Sequence, residues 1–254
     1  MGILMNAWKI DRRRARIQLD DLVAAIDLTE PARGLAGLRV GNDPLDEAAL
    51  LGVEVPPPAA PDRESLSGAR ARGTSLTAAY RGSADWPIGV EATWRAEGPS
   101  ASGAALATLA LMVSVETQVL DARPELAVAS VLPTTDVLRL VDAQSSRFES
   151  AGGESPRLIE PSGGPGCLLF RFPQSDFSYA EMVHPLDFLD SRLAGGTGPR
   201  PTFGLRHRLF GGPLEKGVIR RARVYGVFLP RDGDAGIAVE SYARFAAAEP
   251  PLGA

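Results

Sequence analysis

One cysteine and two histidines in 254 residues set the first limits on this chain. Cys167 alone cannot form an intramolecular disulfide or a cysteine-rich metal site, which fits a reducing compartment. Lys9 and Lys216 are the only lysines, so the positive charge is almost all arginine, the residue suited to carboxylate and phosphate. The abundance of Ala, Gly and Pro offers codon bias as a second source of that skew. With a formal net charge of −4 and a pI of about 5.4, the chain has no general attraction to nucleic acid or to an anionic membrane. No apolar run reaches the roughly 18 residues of a membrane span, and the opening MGILMNAWKIDRRRAR lacks the order of a secretory signal. Asn6 stands where a myristoylation pattern requires Ser or Thr. The expectation is a soluble, cytoplasmic protein bound to neither membrane nor nucleic acid.

Nucleotide and hydrolase signals are missing as well. There is no phosphate loop ending in GK[ST], no strand-to-helix setting around Gly163–Gly166, and no GxSxG elbow. No cofactor is expected.

What the chain does have is alternation. Leu214 to Pro230 (LEKGVIRRARVYGVFLP) reads as a long strand with Val218, Arg220, Ala222, Val224, Gly226 and Phe228 facing a core and Ile219, Arg221, Arg223, Tyr225, Val227 and Leu229 facing away. ARIQL and LVAAIDL read as a hairpin turning at Asp20-Asp21. Further strand patterns span 34–40, 50–55, 75–80, 88–95, 105–119, 125–132, 137–141 and 167–172, with turn residues between them at the rhythm of an antiparallel sandwich. Pro56 to Gly73 and Ser145 to Gly166 read as loops, Asp187 to Leu193 as a helical turn, and Gly195 to Pro201 as a loop. A terminal helix is expected over 235–248, capped by Asp232 or Asp234, with Ile237, Ser241, Tyr242, Phe245 and Ala246 on one stripe and Pro250-Pro251 as its stop. The fold expected is mostly β: one antiparallel sandwich domain over 1–254, or the larger supersandwich, with a C-terminal helix.

Two groups could carry chemistry. His184 in AEMVHP and His207 in LRHRLF could meet across two strands, with Glu181 as a carboxylate partner for acid–base work or for a His₂-carboxylate metal site. Pro185 disfavours helix at His184, and in a strand the odd spacing puts Glu181 and His184 on opposite faces. Each histidine could equally be a satisfied core residue. Arg206, Arg208, Arg220, Arg221 and Arg223 form the densest basic group. They could bind a uronate carboxylate or a phosphate, or simply make a solvated face pairing with Glu215 and other acids. Trp86, in a turn-like Asp-Trp-Pro, and Tyr179 are candidate sugar platforms, whereas Trp94 reads as core.

The segments GTSLTAAY, WPIGVEATWRAE, SVETQVLDARPEL, EMVHP and RHRLFGGPLEKGVIRRARVYGVFLPRDGD resemble an uncharacterised bacterial family of planctomycete-type genomes with no assigned activity. The opening LVAAIDLTEPARGLAGLRVGNDPL is similar to the start of galactose-mutarotase-like supersandwiches. That resemblance implies sugar chemistry through His and Glu, with His184, His207, Glu181 and Glu215 as catalytic candidates. Arg206, Arg208, Arg221, Arg223, Trp86 and Tyr179 would bind a sugar or anionic saccharide. The alternative expectation is a non-catalytic structural or interaction module that forms homo-oligomers.

Overall fold

The computed structural model describes residues 6–56, 65–153, 155–196 and 201–249. Among them the chain forms nineteen strands and one α-helix. In order they are β1 (Trp8–Asp11), β2 (Arg14–Gln18), β3 (Leu22–Asp27), β4 (Ala36–Val40), β5 (Asp43–Leu45), β6 (Ala49–Glu54), β7 (Leu66–Arg72), β8 (Ser75–Tyr80), β9 (Ile88–Glu97) and β10 (Ala107–Thr117). There follow β11 (Leu126–Leu132), β12 (Asp136–Asp142), β13 (Arg147–Ser150), β14 (Arg157–Ile159), β15 (Cys167–Arg171), β16 (Phe177–Val183), β17 (Asp190–Gly195), β18 (Phe203–Leu209), β19 (Arg220–Pro230) and α1 (Asp234–Ala247).

The strands make three antiparallel sheets: β1 to β5 in sequence order, a nine-stranded sheet β13-β12-β15-β16-β19-β10-β9-β8-β7, and a five-stranded sheet β14-β17-β18-β11-β6. A bridge between Leu35 and Leu50 joins the first sheet to the third. Gly34 permits that junction. Its φ is +67°, and a Cβ there would lie 2.5 Å from the Leu50 carbonyl oxygen, so no larger residue fits.

Strand β19 sits at the middle of the nine-stranded sheet because both its faces can be buried. Ala222, Val224 and Phe228 join the inter-sheet core, and Val227 and Leu229 lie beneath α1 with Ala180, Met182, Cys167 and Leu169. The Asp20-Asp21 hairpin forms with β2 against β3, and Trp94 is fully buried with its indole N–H donating to the Leu51 carbonyl at 3.0 Å.

Several expectations need correction. The long strand is shorter at its start: Leu214 makes an isolated bridge to Ala122, and Gly217, with φ +76°, turns the chain before Arg220. Part of the expected 56–73 loop is β7, an edge strand whose central residues are exposed and so show no apolar alternation; 57–64 lie outside the described residues. The 145–166 loop contains β13 and β14. Asp187 to Leu193 is no helical turn, because Asp190 onward enters β17 and pairs with β18. Gly233 in a left-handed conformation is the N-cap of α1, and the Asp234 carboxylate reaches instead to Arg171 and Ser178. Residues 197–200 and the proline stop at 250–251 also fall outside the described residues.

Candidate functional site

Alternation along β16 decides the fate of the histidines. Tyr179, Glu181 and Val183 point between the sheets, while Ala180 and Met182 point towards α1. His184 continues the second set, and its ring meets Phe245 of α1 edge-on at 5.4 Å. His207, on β18 of the facing sheet, points inwards, and its Nε2 comes within 3.2 Å of Glu181 Oε1. The two imidazoles therefore lie on opposite sides of the nine-stranded sheet. They do not form the paired centre expected from the sequence. Among the described residues no group of three or more His, Cys, Asp or Glu could hold a metal ion.

Glu181 and His207 belong to a sealed polar network. At β6 the pairing with β11 slips between Ala129 and Val131, and Leu51 adopts a left-handed φ of 56°. This bulge takes the Leu51 amide and carbonyl out of the ladder. The carbonyl accepts from Trp94, and the amide donates to Ser130 Oγ at 2.9 Å. Ser130 in turn donates to Glu181 Oε2 at 2.7 Å, and the Tyr179 hydroxyl donates to the same oxygen at 2.8 Å. On the other side Ser191 Oγ lies 2.7 Å from His207 Nδ1. If the Ser191 hydroxyl donates there, Nε2 carries the ring proton towards Glu181. The 3.2 Å approach to Oε1 is misaligned for a hydrogen bond, so the contact is electrostatic. Glu181 and His207 are both 0% exposed, which keeps any outside substrate from them. Burial beside Glu181 also raises the Tyr179 phenol well above its ordinary pKa.

The remaining candidates are dispersed. Tyr179 is a core ring packed on Phe228 at 4.9 Å. Arg206 and Arg208 face outwards from β18, paired with Glu54 and Asp190. Arg221 and Arg223 face outwards from β19 in the other sheet, so the four arginines form no common ladder. Arg223 binds Asp187 and donates to the Ala248 carbonyl at the end of α1. Glu215 lies exposed in the turn before β19. Trp86 packs partly on the core from the β8–β9 connection.

The groups that do converge are ones the sequence did not single out as a set. Where the outer face of β9, β10 and β19 meets α1, Glu97, Ser100, Thr108, Tyr225, Ser241, Arg244 and Phe245 line a cleft of about 490 Å³. That volume lies within the roughly 300–1,000 Å³ of small-molecule sites. Tyr225 and Phe245 stack with ring centres 5.4 Å apart and planes 24° apart, giving the cleft an aromatic wall. Burial raises the Tyr225 phenol above its ordinary value and outweighs the Thr108 hydrogen bond, which lowers it, so it is a neutral hydroxyl at physiological pH. The 100–105 loop forms a braced side wall: Ser100 and Ala105 exchange backbone and side-chain hydrogen bonds at 2.9 and 3.0 Å. The legible signal was the outward position of Tyr225 on its strand and of Phe245 on the helical stripe. Their meeting depends on how α1 docks.

No protein-family model matches the chain, and no curated protein matches it in sequence. Its structure is similar to that of YeaD, a proposed mutarotase of Salmonella typhimurium, at a TM-score of 0.56 and 11% identity over 89% of this chain and 97% of that one. It is similar also to a proposed aldose 1-epimerase of Klebsiella pneumoniae, with a TM-score of 0.56 and 6% identity over 95% and 87% of the two chains. An α-N-acetylgalactosaminidase of Bifidobacterium bifidum, NagBb, matches at a TM-score of 0.50 and 12% identity, over 93% of this chain and 37% of that longer protein. At these identities the likeness is one of fold: the chain is a mutarotase-like supersandwich with a C-terminal helix. No helix of the described residues is long and apolar enough to cross a membrane.

Proposed function

We propose that the chain is one sandwich domain that binds a saccharide in the cleft between α1 and the outer face of β9, β10 and β19. The observation that carries this reading is the stacked Tyr225–Phe245 wall set among hydroxyl and charged groups in a cleft of about 490 Å³. A pyranose has an apolar C–H face that an aromatic wall accepts, and a rim of hydroxyls that needs donors and acceptors. Thr108, Ser241, Ser100 and Glu97 supply those around the same space. The proteins of similar fold named above carry names drawn from sugar chemistry, which adds support.

Binding without catalysis fits the placement of the imidazoles and of Glu181. Glu181 and His207 are sealed between the sheets, and His184 stands behind Phe245. Probing the purified protein on a glycan array tests the proposal. Binding to a defined set of saccharides, lost in a folded Tyr225→Ala variant, is expected. Absence of any binding, or binding indifferent to Tyr225→Ala, would remove it.

A second reading, self-assembly, has one observation of its own. Val119, Leu120, Val218 and Ile219 are exposed, at 41%, 78%, 41% and 53%, and the Gly217 N–H bond to the Thr117 carbonyl brings their two loops together. Such an outward apolar cluster suits contact with another chain. Light scattering across concentrations tests it: a particle that stays monomeric would exclude self-association through this patch.

A further inference from the structure

We infer that the saccharide taken by this cleft carries a carboxylate, as a uronic acid does, and that Arg244 recognises it; the inference rests on the saccharide reading above. The charges around the cleft do not balance. Arg95 and Glu97 form an ion pair and cancel. Arg223 is engaged by Asp187. Arg244 has no carboxylate partner among the described residues; its one hydrogen bond is a long 3.4 Å contact from Nε to the Glu240 carbonyl. One unspent guanidinium thus lines an aromatic cleft in a chain whose net charge is −4.

The last turn of a helix favours a cation, and this would account for Arg244 if nothing else served the helix end. Something else does: Arg223 reaches the Ala248 carbonyl at 3.0 Å from the neighbouring strand. Arg244 is therefore a second guanidinium where one suffices, and it faces the cleft. A guanidinium presents paired N–H donors that match the two oxygens of a carboxylate. A phosphate ester fits less well. It carries a charge of roughly −1.5 to −2, whereas the cleft offers one uncompensated cation, which matches the single charge of a carboxylate.

The test compares matched monosaccharides that differ only at C6. These are galactose with galacturonate, and glucose with glucuronate, titrated calorimetrically into the full chain at low salt. The uronate member of at least one pair is expected to bind about tenfold more tightly, a charge-assisted contact at a partly exposed site. That preference should shrink as salt is added. In Arg244→Gln the ratio within the pair should fall to about one, and in Arg244→Lys it should be intermediate. Equal affinities within every pair, with binding still lost in Tyr225→Ala, would overturn the uronate assignment and leave the saccharide reading standing. A preference that survives Arg244→Gln would also overturn it, as would tighter binding of the corresponding 6-phosphates. If no member of any pair binds, the uronate inference falls, while the saccharide reading is decided separately by the glycan array.

Discussion

At the scale of single residues, the sealed network between the sheets makes the firmest predictions. Gly226 pairs with Glu181 across β19 and β16, and a Cβ on it would come within 2.2 Å of the Tyr179 hydroxyl. Gly226→Ala must therefore push Tyr179 off Glu181 inside a packed core. A loss of about 2 kcal/mol in urea unfolding is expected; a neutral result would mean that Tyr179 has room the packing does not show. His207→Ala empties a fully buried ring position and leaves Ser191 Oγ without its 2.7 Å partner, and should cost about 3 kcal/mol. Saccharide binding by the molecules that remain folded should be unchanged, because the network lies on the far side of the sheet from the cleft. Loss of binding at full stability would instead give His207 a functional role.

His184 predicts a pH dependence. Burial, then the nearby Arg223 charge, lower its pKa from the ordinary 6.5. The unfolded chain thus holds this proton more tightly than the folded one. The stability His184 contributes is complete above the unfolded value and is lost as pH falls through the depressed folded value. Melting temperature measured through the weakly acidic range should fall more steeply for the wild type than for His184→Gln; parallel curves would contradict this.

At the scale of elements, α1 is held at both ends, and its position makes the cleft. At its start the buried Asp234 carboxylate accepts from Arg171 Nε and Nη2 at 2.9 and 2.8 Å and from Ser178 Oγ at 2.7 Å. Burial alone would raise the Asp234 pKa, but these hydrogen bonds and the Arg171 charge together hold it below the ordinary carboxylate value. A depressed carboxyl contributes stability that is present above the unfolded pKa and lost as pH falls through the folded one. Asp234→Asn should therefore cost about 2 kcal/mol near neutrality and remove part of the acid sensitivity expected below about pH 4. Equal acid sensitivity in the two proteins would place the titrating group elsewhere.

The elements also show where the sequence could be read. Strand β19 was legible because its alternation separates Ala222, Val224 and Phe228 from Tyr225, Val227 and Leu229, and the Asp20-Asp21 hairpin because apolar pairs flank a polar turn. Strand β7 was not, since an edge strand with exposed Arg70 and Arg72 lacks an apolar face. Nor was β17, whose Asp190 and Ser191 are buried by Arg208 and His207 of the next strand, β18. The sequence grouped Glu181 with both histidines, and the structure brings only His207 to it; the Tyr225–Phe245 stack was illegible for the same reason as β17. Local period shows which way a side chain points, while its partner is set by how sheets and helix stack.

For the whole molecule, three sheets with a bridge between two of them, and a helix on the outer face of the largest, place the polar chemistry in two separate compartments. The one between the sheets is closed and its groups satisfy a bulge. The one beneath α1 is open and carries aromatic, hydroxyl and charged groups together. The account stands on the second being where a saccharide sits. The direct measurement is amide chemical-shift mapping of the isotope-labelled chain, titrated with a saccharide found to bind. Perturbations are expected to cluster at 97–108, Tyr225 and 241–248. Perturbations centred instead on the outer face of β11 and β18, or scattered without a focus, would contradict it.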